Sequence, residues 1–174
     1  MKRIHKALTA LCLLIISSCA VVETENYIHE ATEEARSSLD DFKFRGDKIE
    51  LREETECLLI PDFYRFWPGY SARGDLHILT RNNAFIEVVS ASISDPSTKE
   101  KKERIEYDKS ESWEQVGGYR IHSVNLFDLM SESIFLDSET LILEVEWKFE
   151  NESKVKKESF KLIKKHGKDV AYAT

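Results

Sequence analysis

The residues of this chain that could do chemistry are an aromatic run, a few histidines, many carboxylates and three cysteines. The aromatic run is the densest: Phe63-Tyr64-Arg65-Phe66-Trp67-Pro68-Gly69-Tyr70 packs five rings into eight residues. Aromatic side chains and Arg dominate binding hot spots, and rings also stack on sugar faces. Phe63, Tyr64, Phe66, Trp67 and Tyr70 are therefore a candidate binding patch for a glycan or a protein partner. Alternatively, alternate rings plug one end of a small core, with Tyr64 and Arg65 at its rim. His77, His122 and His166 are isolated, with none of the paired spacings that zinc ligands show, so no metal site is expected. His77 and His122 could meet across a sheet, but edge or surface positions suit them better. Glu144, Glu146 and Glu150 share a strand face and face a Lys-rich segment, which reads as a charge ladder protecting a sheet edge. There is no nucleophile elbow, phosphate-cradling glycine loop or H-E-x-x-H pair. Neither a catalytic residue nor a cofactor is expected.

The elements that position these residues are mostly strands. From about Asp47 onward apolar residues recur with period two, which predicts strands near 48–52, 56–60, 75–81, 84–94, 102–108, 118–126, 140–149 and 154–164. The best-defined pair is the last. A turn at Asn151-Glu152 sets Leu141 against Leu162, Leu143 against Phe160 and Glu146 against Lys157. That register satisfies both faces, and a one-residue slip would bury Lys161. The parity change at Val88-Val89 predicts a β-bulge or a strand buried on both faces. Earlier in the chain, Ile28, Ala31, Ala35, Leu39 and Phe42 recur at helical spacing. Residues 19–45 are thus expected to be a short helix or a tether, and residues 46–174 an all-β domain. An immunoglobulin-like antiparallel β-sandwich is the expected fold.

The first nineteen residues read as an address. Lys2, Arg3 and Lys6 precede an apolar run from Ala7 to Ile16, then Ser17, Ser18 and Cys19. This is the order of a secretory signal peptide, and the run is shorter than the roughly 20 residues that span a bilayer. Ile16-Ser17-Ser18-Cys19 resembles the lipobox of bacterial lipoproteins. The resemblance implies cleavage after residue 18, a diacylglyceryl group on the Cys19 thiol and acylation of the new amino terminus. It departs from the commonest form in having Ile for Leu and Ser for Gly. Ala20, in place of Asp, resembles lipoproteins sent to the outer membrane, facing the periplasm, if the host has two membranes.

With Cys12 in the signal and Cys19 lipidated, Cys57 is the only ordinary thiol, and its apolar neighbours suit a buried, inert cysteine. Residues 1–18 hold three of the 25 Lys and Arg and none of the 32 Asp and Glu, so the chain from Cys19 onward carries a formal charge of −10. That balance argues against nucleic acid, whose partners show a basic footprint. The sequence thus points to an envelope lipoprotein anchored by lipid on Cys19, a non-catalytic protein- or glycan-binding or structural module. Two alternatives stand beside it: an immunity or inhibitor lipoprotein, with its acidic face set against a basic toxin or enzyme, and an envelope hydrolase.

Overall fold

Alternation of apolar and polar residues sets the architecture. The computed structural model describes residues 19–37, 39, 56–66, 71–81, 84–104, 113–116, 119–128 and 138–172. Within these lie β1 (Cys19–Ile28), β2 (Cys57–Phe66), β3 (Ser71–Arg81), β4 (Ile86–Ser94), β5 (Lys101–Arg104), β6 (Trp113–Val116), β7 (Tyr119–Asp128), β8 (Thr140–Phe149) and β9 (Lys156–Tyr172). Every pairing is antiparallel, and the strand order is β5-β4-β8-β9-β1-β2-β3-β7-β6. The fold is all-β and sandwich-like.

The two layers are joined through β9. Its first half pairs with β8 and its second half with β1, and Ile163 stands opposite both Thr140 and Ile28. A strand that serves two layers in this way turns the corner of a sandwich. One apolar cluster fills the space between the layers. It takes Leu141, Leu143, Val145 and Trp147 from β8, Ile93 from β4, Leu59 and Phe63 from β2, Leu76 and Ile78 from β3 and Val124 and Leu126 from β7.

The β8–β9 hairpin has the expected register, Leu141 with Leu162, Leu143 with Phe160 and Glu146 with Lys157. The β4–β8 register shifts between Val88 and Ser90, a bulge where the parity change predicted one. A second bulge lies between Gly74 and Asp75, where β7 places both Leu126 and Phe127 in the core. Asp95 ties the β4–β5 turn to the start of β8: Ser97 donates to Oδ1 from both N and Oγ, and Ser138 donates to Oδ2. These bonds hold the carboxyl at about 2.

The N-terminal expectation needs correction. Cys19–Ile28 is neither helix nor tether but a central strand, paired with β9 on one edge and β2 on the other. Helix begins only after it, as a 3₁₀ turn at Glu30–Thr32 followed by α-helical residues 33–37 and 39. Ala35 and Leu39 keep their expected apolar face and cover Leu58, Ile60, Leu79 and Ile121 on the outside of the β2-β3-β7 layer. The sheet therefore begins at Cys19, not near residue 46. The strand expected at 48–52 lies outside the described residues, and β6 was not anticipated.

His122 lies on the core side of β7, opposite Ile78. Burial lowers its pKa to about 4. An unfolded imidazole takes its proton near 6.5 and the folded one resists until about 4, so stability is full above 6.5 and falls as pH drops through that window. The melting temperature is expected to fall by several degrees between pH 7 and 4.5, and in His122→Phe that slope should flatten, as calorimetry would show.

Candidate functional site

Three cross-strand rows occupy the outer face of the β2-β3-β7 layer. Register sets Ile60, His77 and Ser123 in one row, Asp62, Asp75 and Asn125 in the next, and Tyr64 beside Arg73 in the third. Side chains at two-residue steps share a face, so Asp62 and Tyr64 point outward with Asp75 and His77, while Phe63 points into the core. The helical segment closes one side of this face.

The polar groups form a connected chain. Arg36 Nε donates to Asp62 Oδ1 at 2.6 Å, Asp62 Oδ2 lies 3.3 Å from His77 Nε2, and His77 Nδ1 lies 2.7 Å from Ser123 Oγ. One tautomer satisfies all three contacts: Nε2–H donates to Asp62, and Nδ1 accepts from the Ser123 hydroxyl. Asp62 and His77 are buried, whereas Ser123 is exposed. Burial alone would raise the Asp62 pKa, but its bonds and charges from His77 and Arg36 outweigh that and lower it. Asp75, directly opposite, goes the other way. Burial raises it despite the 2.8 Å bond donated by Asn125 Nδ2, and Asp62 adds a like charge. Tyr64 is half-buried beside this pair, its phenol raised by burial and by Asp75.

The order Ser123–His77–Asp62 is that of a nucleophile, a base and an orienting acid. Acyl transfer needs in addition two donors converging on one oxyanion position. Ser123 lies inside an extended strand, where successive N–H groups point to opposite edges and do not converge. Moreover, the tighter contact of Asp62 is to Arg36, which makes the chain a clamp between helix and sheet. The outward-facing Tyr64, Asp75, Asn125 and Ser123, which span the three rows, with exposed Arg73 beside them, instead present a ring and fixed polar groups on one face.

Two members of the expected aromatic patch, Phe63 and Tyr64, lie on opposite faces of β2. Phe63 is fully buried, 6.4 Å from the Phe127 ring, so it belongs to the core and not to a patch. Tyr64 lies on the opposite face, Phe66 ends β2, and Trp67 and Tyr70 lie outside the described residues. His77 and His122 are on adjacent strands but face opposite sides, so they do not meet. Among the described residues, no three His, Cys, Asp or Glu are grouped to hold a metal ion. The Cys57 thiol is raised to about 12 by burial and by Glu158, which makes it inert. A cleft of about 410 Å³ over β4 and β8 is lined by Ser90, Ser92, Glu144, Glu146 and Lys157. Its polar groups already have partners: Lys157 pairs with Glu144 at 3.1 Å, Lys101 pairs with Glu103, and Ser90 donates to Glu146 at 2.9 Å.

Arg36, Asp62, Ser123, Asp75 and Asn125 were not singled out from the sequence. Only the two-residue spacings Asp62-x-Tyr64 and Asp75-x-His77 hinted that these pairs share a face. No known family, curated protein or solved structure matches this chain.

Proposed function

We propose that this chain is a bacterial envelope lipoprotein, anchored by lipid on Cys19, whose sandwich-like domain binds an envelope glycan or protein and carries out no catalysis. The order of basic residues, apolar run, Ser17-Ser18 and Cys19 supports the anchor. The observation that carries the binding reading is the outer sheet face on which half-buried Tyr64 and Asp75 lie beside exposed Asn125 and Ser123. A ring beside fixed planar polar groups suits a sugar, which offers an apolar face and hydroxyl edges.

Binding to purified peptidoglycan tests this. Tyr64→Ala and Asn125→Ala are each expected to weaken it about 10-fold, the equivalent of one net hydrogen bond or ring contact, with the melting temperature unchanged. Retention of full binding in both variants would exclude this face. A second reading, envelope hydrolase, is favoured by the Ser123–His77–Asp62 order alone. A fluorophosphonate probe that labels wild-type protein but not Ser123→Ala would establish it, and no labelling is expected.

A further inference from the structure

Among the described residues, β1 and β9 run on past the rest of their layer. β1 pairs with β2 only from Thr24 to Tyr27, but with β9 along its whole length, from Cys19 opposite Tyr172 to Ile28 opposite Ile163. Among the described residues, Cys19–Glu23 therefore pair with Lys168–Tyr172 alone, as a two-stranded ribbon. Five residues of strand reach roughly 16 Å.

The sequence is graded along that ribbon. Its outermost pairs, Cys19 with Tyr172, Ala20 with Ala171 and Val21 with Val170, hold no charged residue. The next two, Val22 with Asp169 and Glu23 with Lys168, carry three charged residues. A two-stranded ribbon is marginal in water without something to cover it. Tyr is also a residue that favours the membrane–water interface.

We propose that this ribbon is the membrane-facing end of the protein: its tip, Cys19–Val21 with Val170–Tyr172, sits in the lipid headgroup region, and β9 shares the anchor. This rests on lipidation at Cys19. The lipid-bearing residue is then itself the outermost pair, so no slack chain separates acyl groups from the sheet. A second copy of the chain would compete with those acyl groups for the same tip, which is why a lipid surface is the occupant. Glu23, Lys168 and Asp169 limit the depth of entry. The C-terminal strand is held at the bilayer, and the β8–β9 turn at Asn151 is carried away from it.

The test uses full-length lipidated protein in vesicles of phosphatidylethanolamine and phosphatidylglycerol that contain a headgroup-nitroxide lipid. A fluorophore is placed on Ala171→Cys or on Asn151→Cys, and inert Cys57 leaves each new thiol as the labelling site. Quenching at 171 is expected to exceed that at 151 at least 5-fold. Val22→Pro, which removes a ribbon donor because the Val22–Asp169 pair is a hydrogen-bonded one in the alternation set by Lys164 N facing β8, should bring quenching at 171 down towards the value at 151 while mass spectrometry still shows Cys19 acylated. Equal quenching at both sites with Cys19 acylated would overturn the ribbon inference and leave the anchor intact. Unmodified Cys19 would overturn both. Disulfide-linked dimers of Ala171→Cys, formed in the vesicles with no quenching, would assign the tip to a second copy instead.

Discussion

Phe63→Ala is expected to destabilise the domain by about 3–5 kcal/mol, the range for removing a fully buried phenyl ring that cannot be replaced by collapse. The space it leaves is bounded by backbone. A Cβ built on Gly74 would lie 2.6 Å from Phe63 Cε1, so the ring packs directly against the bare glycine of the neighbouring strand. The reciprocal change, Gly74→Ala, forces that buried ring to move and should cost about 1–3 kcal/mol through overpacking. Urea unfolding would measure both. Tyr64→Ala, one residue on but facing outward, should leave the urea midpoint nearly unchanged. The contrast separates core from binding face within one aromatic run, and equal losses at both positions would contradict the alternation assigned to β2.

Asp62→Ala should be the next most damaging change. It leaves Arg36 and His77 facing each other across a mostly buried site, with side-chain exposures of 19% and 7%. Removing one partner of a buried pair costs about 3–5 kcal/mol, and the residual solvent contact here favours about 3 kcal/mol. The helical segment then loses one of its polar ties to the sheet and is held by the Glu33–Lys165 pair and by Ala35 and Leu39. The pH dependence has a defined sign. The folded Asp62 pKa lies below its ordinary 3.8, so its stabilisation is present above 3.8 and is lost as pH falls through the folded value. The gap in melting temperature between wild type and Asp62→Asn should therefore narrow below pH 4. The His122 effect, which operates between 6.5 and about 4, is common to both proteins and cancels.

What the sequence made legible follows from how local each signal was. The β8–β9 register could be read because Leu141, Leu143, Phe160 and Leu162 satisfy one face while Glu146 and Lys157 satisfy the other. The bulge at Val89 was legible as a break in parity. β1 was not. Ala20-Val21-Val22-Glu23 has no clean alternation, and the helical beat from Ile28 onward masked the strand before it. The far end of β9 was missed for a similar reason: Lys164-Lys165-His166-Gly167-Lys168 offers no apolar period, yet β1 supplies the pairing. The polar chain was invisible because its members are distant in sequence. Asp62 is 26 residues from Arg36 and 15 from His77, and Ser123 is 46 from His77. Only register brings them together.

The central claim is a lipid anchor at Cys19, and the mass of the mature N-terminal peptide tests it most directly. Protein extracted from membranes of the native host or a bacterial expression host should yield a peptide that begins at Cys19, with diacylglyceryl on the thiol. The Cys19→Ala protein should carry no such modification and should leave the detergent phase for the aqueous one. A mature chain that begins elsewhere, or an unmodified Cys19 in protein that still partitions with membranes, would contradict the account.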